Sequence, residues 1–263
     1  MNSRFLTFFG LTKTPFTKEI PVDDIFKNSM ITGLLGMFEL GISTEDIMLL
    51  YGDIGCGKSA GIRLFLESLD TNKYYPLYLK GSGMNVALLY NSVLAGLKVE
   101  PPFHLSQAKR LFEKVMPEFR KKPVIILDDA QDLHDKALLE VRNLVSFDVD
   151  SRNKICVILS GQPEILEKLK FSLFAPVMQR IRLSYQAHPM SLEETCRYID
   201  HHLKICGKDN SMFTDDAKSE IFKRSGGISR LINKECFKAM IIACTKEKSI
   251  IEPSIMSPAD SYE

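Results

Sequence analysis

The sequence lacks the features that mark secreted proteins, membrane-spanning proteins and DNA-binding proteins with a high overall positive charge. Its 263 residues carry a net charge of +1, so any nucleic-acid site must be a local patch rather than an overall basic field. No apolar run approaches the length of a membrane span, and the first residues do not have the layout of a signal peptide. These absences favour a cytoplasmic protein that does not contact a membrane.

The six cysteines include no CxxC pair, which argues against a zinc site. Without an export signal, they are expected to be reduced thiols. Hydrophobic residues make up 45% of the chain and charged residues 25%, which is ordinary for a globular protein. The length allows one large domain and a small one.

The stretch GDIGCGKSA has the full spacing of a phosphate-binding P-loop, and a chance glycine-rich turn is the alternative. Its glycines allow backbone conformations in which successive N–H groups point at a phosphate. Lys58 is predicted to reach the β- and γ-phosphates, and the Ser59 hydroxyl to bind Mg²⁺. The apolar run before the loop and the helical spacing after it place it at a helix N-terminus. The predicted nucleotide-binding residues of this loop are Gly52, Asp53, Ile54, Gly55, Cys56, Gly57, Lys58, Ser59 and Ala60.

A second motif supplies the carboxylates that such a loop needs. Four apolar residues at 124–127 precede Asp128 and Asp129, which predicts two acids at the carboxyl end of a strand. Asp128 is predicted to hold Mg²⁺ through water, and Asp129 to orient or activate the attacking water. The alternative is that one of them is only a helix N-cap.

Strands and helices alternate up to His188, which predicts an α/β fold: a parallel sheet sandwiched by helices. Beyond Pro189 no strand is evident and three helices follow, which predicts a small all-α domain. The predicted strands are 47–51, 75–79, 124–127, 155–159 and 181–185.

The same patterns predict the division of the chain. We expect an N-terminal extension that packs on the core, a nucleotide-binding α/β domain, a helical lid domain and a flexible tail. Their predicted bounds are 1–27, 28–188, 189–247 and 248–263.

Four short motifs occur in the same order as in a known family. Together with the P-loop, the paired acids and the helical C-terminal domain, they make the sequence resemble AAA+ ATPases, and more closely the ExeA/TnsC-like group. The resemblance covers residues 5 to about 245 and implies a P-loop AAA+ core that uses ATP and Mg²⁺. The motifs are FGL with PF at 9–16, SGQPE at 160–164, QRI at 179–181 and GGISRLIN at 226–233.

The resemblance implies roles for individual residues. Gln162 resembles the catalytic polar residue that senses the γ-phosphate, with Ser160 as the second choice. Arg180 resembles the catalytic arginine finger that acts on the ATP of a neighbouring subunit, with Arg182 as its rival. Arg230 resembles the arginine that reaches the nucleotide from the lid. Planar guanidinium groups suit the charge that develops in phosphoryl transfer.

Two further expectations concern catalysis and assembly. Most AAA+ proteins have glutamate where this chain has Asp129, and the shorter side chain predicts slow hydrolysis. An arginine finger acts only if a neighbour presents it, so the chain is expected to self-associate into a ring or a helical assembly.

The chain ends after the lid, and this short form resembles helper ATPases of bacterial transposons, which bind double-stranded target DNA and recruit or stimulate a partner transposase. The alternatives are a secretion or envelope-assembly ATPase and a nucleotide-gated scaffold with little hydrolysis. The residues expected to contact DNA are Lys80, Ser82, Lys121 and Lys122.

Overall fold

The computed structural model describes residues 2–44, 47–147, 152–209 and 212–256. Over these residues the chain divides into two compact units. The sheet unit contains residues 33–54 and 61–187, and the helical unit contains residues 1–32, 55–60 and those from 188 onward.

The sheet unit is built on five parallel strands in the order β2-β3-β6-β1-β7, and a short antiparallel pair, β4 and β5, lies apart from them. The strands are β1 Ile47–Gly52, β2 Tyr74–Lys80, β3 Lys122–Asp128, β4 Ser146–Phe147, β5 Arg152–Asn153, β6 Cys156–Gly161 and β7 Ile181–Ala187.

The central strands are continuous apolar runs because both faces of the sheet are covered. Ile47 through Leu50 of β1 and Val124 through Leu127 of β3 are completely buried. The predicted α/β class, a parallel sheet flanked by helices, is confirmed. The helices are α1 Asn2–Phe9, α2 Ser29–Thr44, α3 Lys58–Ser68, α4 Val86–Gly96, α5 Leu105–Glu118, α6 Asp135–Val145, α7 Pro163–Leu169, α8 Ala175–Met178, α9 Leu192–Lys204, α10 Asp215–Ser225 and α11 Ser229–Thr245.

The helical unit packs α9, α10 and α11 together, and local sequence signals set their ends. Ser191 and Glu194 form a reciprocal capping box at the start of α9. The Thr214 side chain accepts a hydrogen bond from the backbone N–H of Ala217 at the start of α10. Gly226 ends α10 in a left-handed conformation, which favours glycine.

Both ends of the chain contribute to the core of the helical unit. Phe9 and Phe16, from the segment expected to be an N-terminal extension packed on the core, are buried there. Ile251 and Ile255 are buried in the same core, although they fall in the stretch expected to be a flexible tail. Their few apolar side chains show no helical or strand period, so the sequence did not indicate burial. Residues 257–263 of that tail lie outside the described residues.

Candidate functional site

The predicted P-loop starts at Gly52, the last residue of β1, and its final residues, Lys58 to Ala60, form the first turn of α3. Gly52, Gly55 and Gly57 have φ angles of +149°, +89° and +100°, which residues with a Cβ rarely adopt. A helix N-terminus adds unpaired backbone N–H groups and a positive dipole end. This backbone geometry fits a bound phosphate.

Within the helical unit, Gly55 lies against the first turn of α11. The Ser229 hydroxyl donates a hydrogen bond to the Gly55 carbonyl oxygen. A Cβ on Gly55 would lie 2.8 Å from the Cβ of Arg230, so a larger residue does not fit there. Arg230, the arginine expected to reach the nucleotide from the lid, is the second residue of α11 and lies beside Gly55. Nothing in the sequence around Ser229 pointed to its contact.

Asp128 ends β3 and is held through both carboxylate oxygens. Ser160 on β6 donates to Oδ1 at 2.7 Å, and Tyr78 on β2 donates to Oδ2. Partial burial, and then Asp128 itself, raise the pKa of Tyr78, so its hydroxyl stays protonated at neutral pH. A carboxylate has about four lone-pair positions, so about two remain for water or a metal ion. The arrangement fits a carboxylate that reaches Mg²⁺ through water.

Asp129 follows in an unusual backbone conformation. Its φ of +54° lies in the left-handed region, and a short 3₁₀ helix of residues 130–132 begins directly after it. Aspartate tolerates this conformation better than most residues because its short polar side chain can bond locally. Such backbone conformations cluster at functional sites. Asp128 is thus the last residue of β3, whereas Asp129 lies in the turn that follows the strand.

The two candidates for the γ-phosphate sensor make different contacts. Ser160 is completely buried and is bonded to Asp128. Gln162 stands just before α7, and its backbone N–H donates to the side chain of Gln131 at 3.1 Å. Of these two candidates for the γ-phosphate sensor, Ser160 is the one for which the described residues show a hydrogen bond to Asp128.

Arg180 and Arg182 lie at the amino end of β7. That strand pairs with β1 in parallel, so Gly52 stands opposite Ala187 at the carboxyl end. A strand of 7 residues spans about 20 Å. Both arginines are therefore too far from the carboxyl end of β1 to serve a phosphate bound there in the same chain.

The four residues expected to contact DNA do not form one patch. Lys80 and Ser82 are exposed at the carboxyl end of β2. Lys121 and Lys122 are exposed at the amino end of the neighbouring β3, a strand of 7 residues and about 20 Å. Lys80 and Ser82 therefore lie at the carboxyl ends of the strands, and Lys121 and Lys122 lie at the opposite, amino ends.

Comparison with known proteins agrees with this geometry. Residues 41–169 match the family model described as an AAA domain. The structure of Cdc6p from Pyrobaculum aerophilum is similar with a TM-score of 0.73 at 16% identity, covering 91% of this chain and 68% of that one. The chain has an AAA+ fold. The ORC1 protein of Aeropyrum pernix, solved in complex with DNA, is similar to this chain with a TM-score of 0.67 at 14% identity, covering 91% and 66% of the two chains.

A curated relative has a functional name. The chain is 28% identical over 249 residues to "General secretion pathway protein A" of Aeromonas hydrophila, and the match covers 91% of this chain. It spans only 45% of that relative. Together with the AAA domain match, this similarity agrees with the AAA+ fold. Over the described residues, none of the helices combines the length and apolar content that crossing a membrane requires.

Proposed function

We propose that this chain binds ATP with Mg²⁺ and hydrolyses the ATP. The observation that carries the proposal is Asp128, whose two oxygens are held by Ser160 and Tyr78 at the carboxyl end of a parallel sheet. Open α/β sheets bind ligands at that end. The positive φ angles of the P-loop glycines support the proposal independently.

Four side chains divide the chemistry. Lys58 would bind the β- and γ-phosphates, while the Ser59 hydroxyl and Asp128 would hold the metal ion. Mg²⁺ held there would supply positive charge against the charge that develops on the transferred phosphoryl group. Asp129 accepts a hydrogen bond from the attacking water and orients it. Because aspartate is one methylene shorter than glutamate, we expect slow turnover.

The test is calorimetric titration of ATP and Mg²⁺ into the wild-type protein and Lys58→Ala. The wild type should bind, and the variant should lose binding because the loop loses its full positive charge. A wild type that binds no ATP, or a variant that binds it equally well, would overturn the proposal. Phosphate release from the wild type then separates an ATPase from a scaffold that only binds.

We further propose that Arg180 completes the site of a neighbouring copy. The support is its position at the amino end of β7, about 20 Å from the carboxyl end of β1. A contact in which the amino edge of one sheet meets the carboxyl edge of the next is head-to-tail, and it closes into a ring or continues as a helix.

For the biological setting, the comparisons support a secretion or envelope-assembly role more than the transposition helper expected from the sequence. The support is the 28% identity with General secretion pathway protein A over 91% of this chain. The transposition helper, with double-stranded DNA and a transposase as partners, is the second candidate. Its support is the DNA-bound ORC1 structure among the similar folds and the exposed Lys80 and Ser82.

Turnover with and without duplex DNA separates the two settings. A DNA-dependent helper should hydrolyse ATP faster with DNA, and DNA binding should weaken steeply with salt. Turnover that is indifferent to DNA at low salt would remove the second candidate.

A further inference from the structure

We propose that Tyr78 is a positioning residue for the Mg²⁺-dependent step, because its hydroxyl fixes the carboxylate of Asp128. The inference rests on the proposed function and adds to it a residue from outside both sequence motifs. It concerns a single contact inside the sheet unit.

The register of the sheet explains how the contact forms. β2 pairs with β3 in parallel, with Tyr78 opposite Ile126 and Lys80 opposite Asp128. Because side chains alternate along a strand, Tyr78 and Lys80 lie on one face of the sheet, and Asp128, which is opposite Lys80, lies on the same face. A tyrosine is long enough to reach diagonally across to the carboxylate, and its hydroxyl donates to Oδ2.

The contact is separate from the packing of the core. Tyr78 is 45% exposed, unlike the completely buried Ser160 on the other side of Asp128. Large exposed apolar rings gain little from burial, so the hydroxyl contact is the specific interaction at this position. Removing the hydroxyl while keeping the ring should therefore leave the fold intact.

The two donors restrict Asp128 in a way that one cannot. With Ser160 alone, the carboxylate keeps rotational freedom about its last side-chain bond, which is a broad torsion for aspartate. A second donor on the opposite oxygen, from the opposite neighbouring strand, fixes the carboxylate plane. A ligand held in place in advance loses less entropy when the metal ion binds. Tyr78 thus acts on the metal through Asp128 and not by touching it.

The test compares Tyr78→Phe with a matched control on the same strand. Tyr75 donates a 3.0 Å hydrogen bond to the backbone carbonyl of Gly96, so Tyr75→Phe also removes a hydroxyl from β2 but leaves Asp128 untouched. ATP affinity is measured in a chelator and then across a Mg²⁺ titration. Tyr78→Phe should lower the apparent Mg²⁺ affinity about 10-fold, as expected for one lost hydrogen bond to a charged group. ATP affinity without Mg²⁺ should stay the same.

A double-mutant cycle shows whether the effect passes through Asp128. In an Asp128→Ala background, Tyr78→Phe should change the Mg²⁺ dependence no further. Thermal unfolding of each variant confirms that it is folded.

The outcomes separate the two proposals. A wild type that binds no ATP overturns the proposed function. If the wild type binds ATP with Mg²⁺ and Tyr78→Phe titrates like it, only the positioning role is wrong. An equal shift in Tyr75→Phe would also contradict that role, since the effect would then come from a general change in β2.

Discussion

Ser160 donates a 2.7 Å hydrogen bond to Oδ1 of Asp128 from the neighbouring strand. Ser160→Ala should therefore raise the Mg²⁺ requirement for ATP binding about 10-fold, because a hydrogen bond to a charged group is lost. Gln162→Ala should instead lower turnover without changing the Mg²⁺ requirement. The measurement is ATP affinity and phosphate release at a series of Mg²⁺ concentrations. The reverse assignment, with Gln162 controlling the metal dependence, would contradict the geometry.

The paired acids should separate binding from chemistry. Asp129→Asn should bind ATP and Mg²⁺ like the wild type but release phosphate more slowly, because the amide is a poorer base for the attacking water. Asp128→Ala should mainly remove the Mg²⁺ dependence of binding. Equal losses of ATP affinity in both variants would show that the two acids do not divide the work.

The Ser229 hydroxyl links α11 to the Gly55 carbonyl of the P-loop. Ser229→Ala should weaken ATP binding by about 3- to 10-fold, the range for one neutral hydrogen bond. Thr245→Ala is the matched control, because Thr245 bonds to Ile241 at the far end of the same helix. Affinity measured by calorimetry should change in the first variant and not in the second. If both behave like the wild type, the contact does not affect the loop.

Glu194 predicts an acid-sensitive contribution to stability. Burial alone would raise the pKa of Glu194, but hydrogen bonds from Ser29 and Ser191 hold it below its ordinary value. The stabilisation is therefore present above about pH 4.5 and is lost as the pH falls through the lowered pKa of the folded state. At neutral pH, Glu194→Gln should lower the free energy of unfolding by about 1–3 kcal/mol.

Chemical unfolding at several pH values checks this prediction. The difference between wild type and Glu194→Gln should shrink at acidic pH, where the wild-type carboxyl is itself protonated. A difference that does not change between pH 7 and pH 3 would show that the charge of Glu194 is irrelevant.

The sequence predicted the sheet well because a sheet of this kind depends on local patterns, and the P-loop prediction rests on equally local ones. The apolar runs at 47–50 and 124–127 are long and uninterrupted, and the P-loop spacing fixes glycine, lysine and serine at set intervals. Helix capping also depends on local sequence, and the Ser191 and Thr214 side chains cap α9 and α10.

Contacts between distant segments could not be predicted in the same way. In the sequence, Tyr78 is an ordinary aromatic residue of a predicted strand. Only the register of β2 against β3 places it diagonally across from Asp128. Ser229 meets Gly55 only because α11 folds back onto the loop. The burial of Phe16 and Ile251 likewise depends on where the N- and C-terminal segments pack, which hydrophobic periodicity does not predict.

We propose that this chain hydrolyses ATP at a site completed by Arg180 of a neighbouring copy. The most direct measurement is phosphate release by Lys58→Ala, by Arg180→Ala and by mixtures of the two. Each variant alone should be nearly inactive, since arginine fingers contribute about 10³- to 10⁵-fold. An equal mixture should regain activity, because about a quarter of head-to-tail contacts then combine an intact P-loop with an intact arginine. A mixture as inactive as its components at every ratio, with an active wild type, would contradict the shared site.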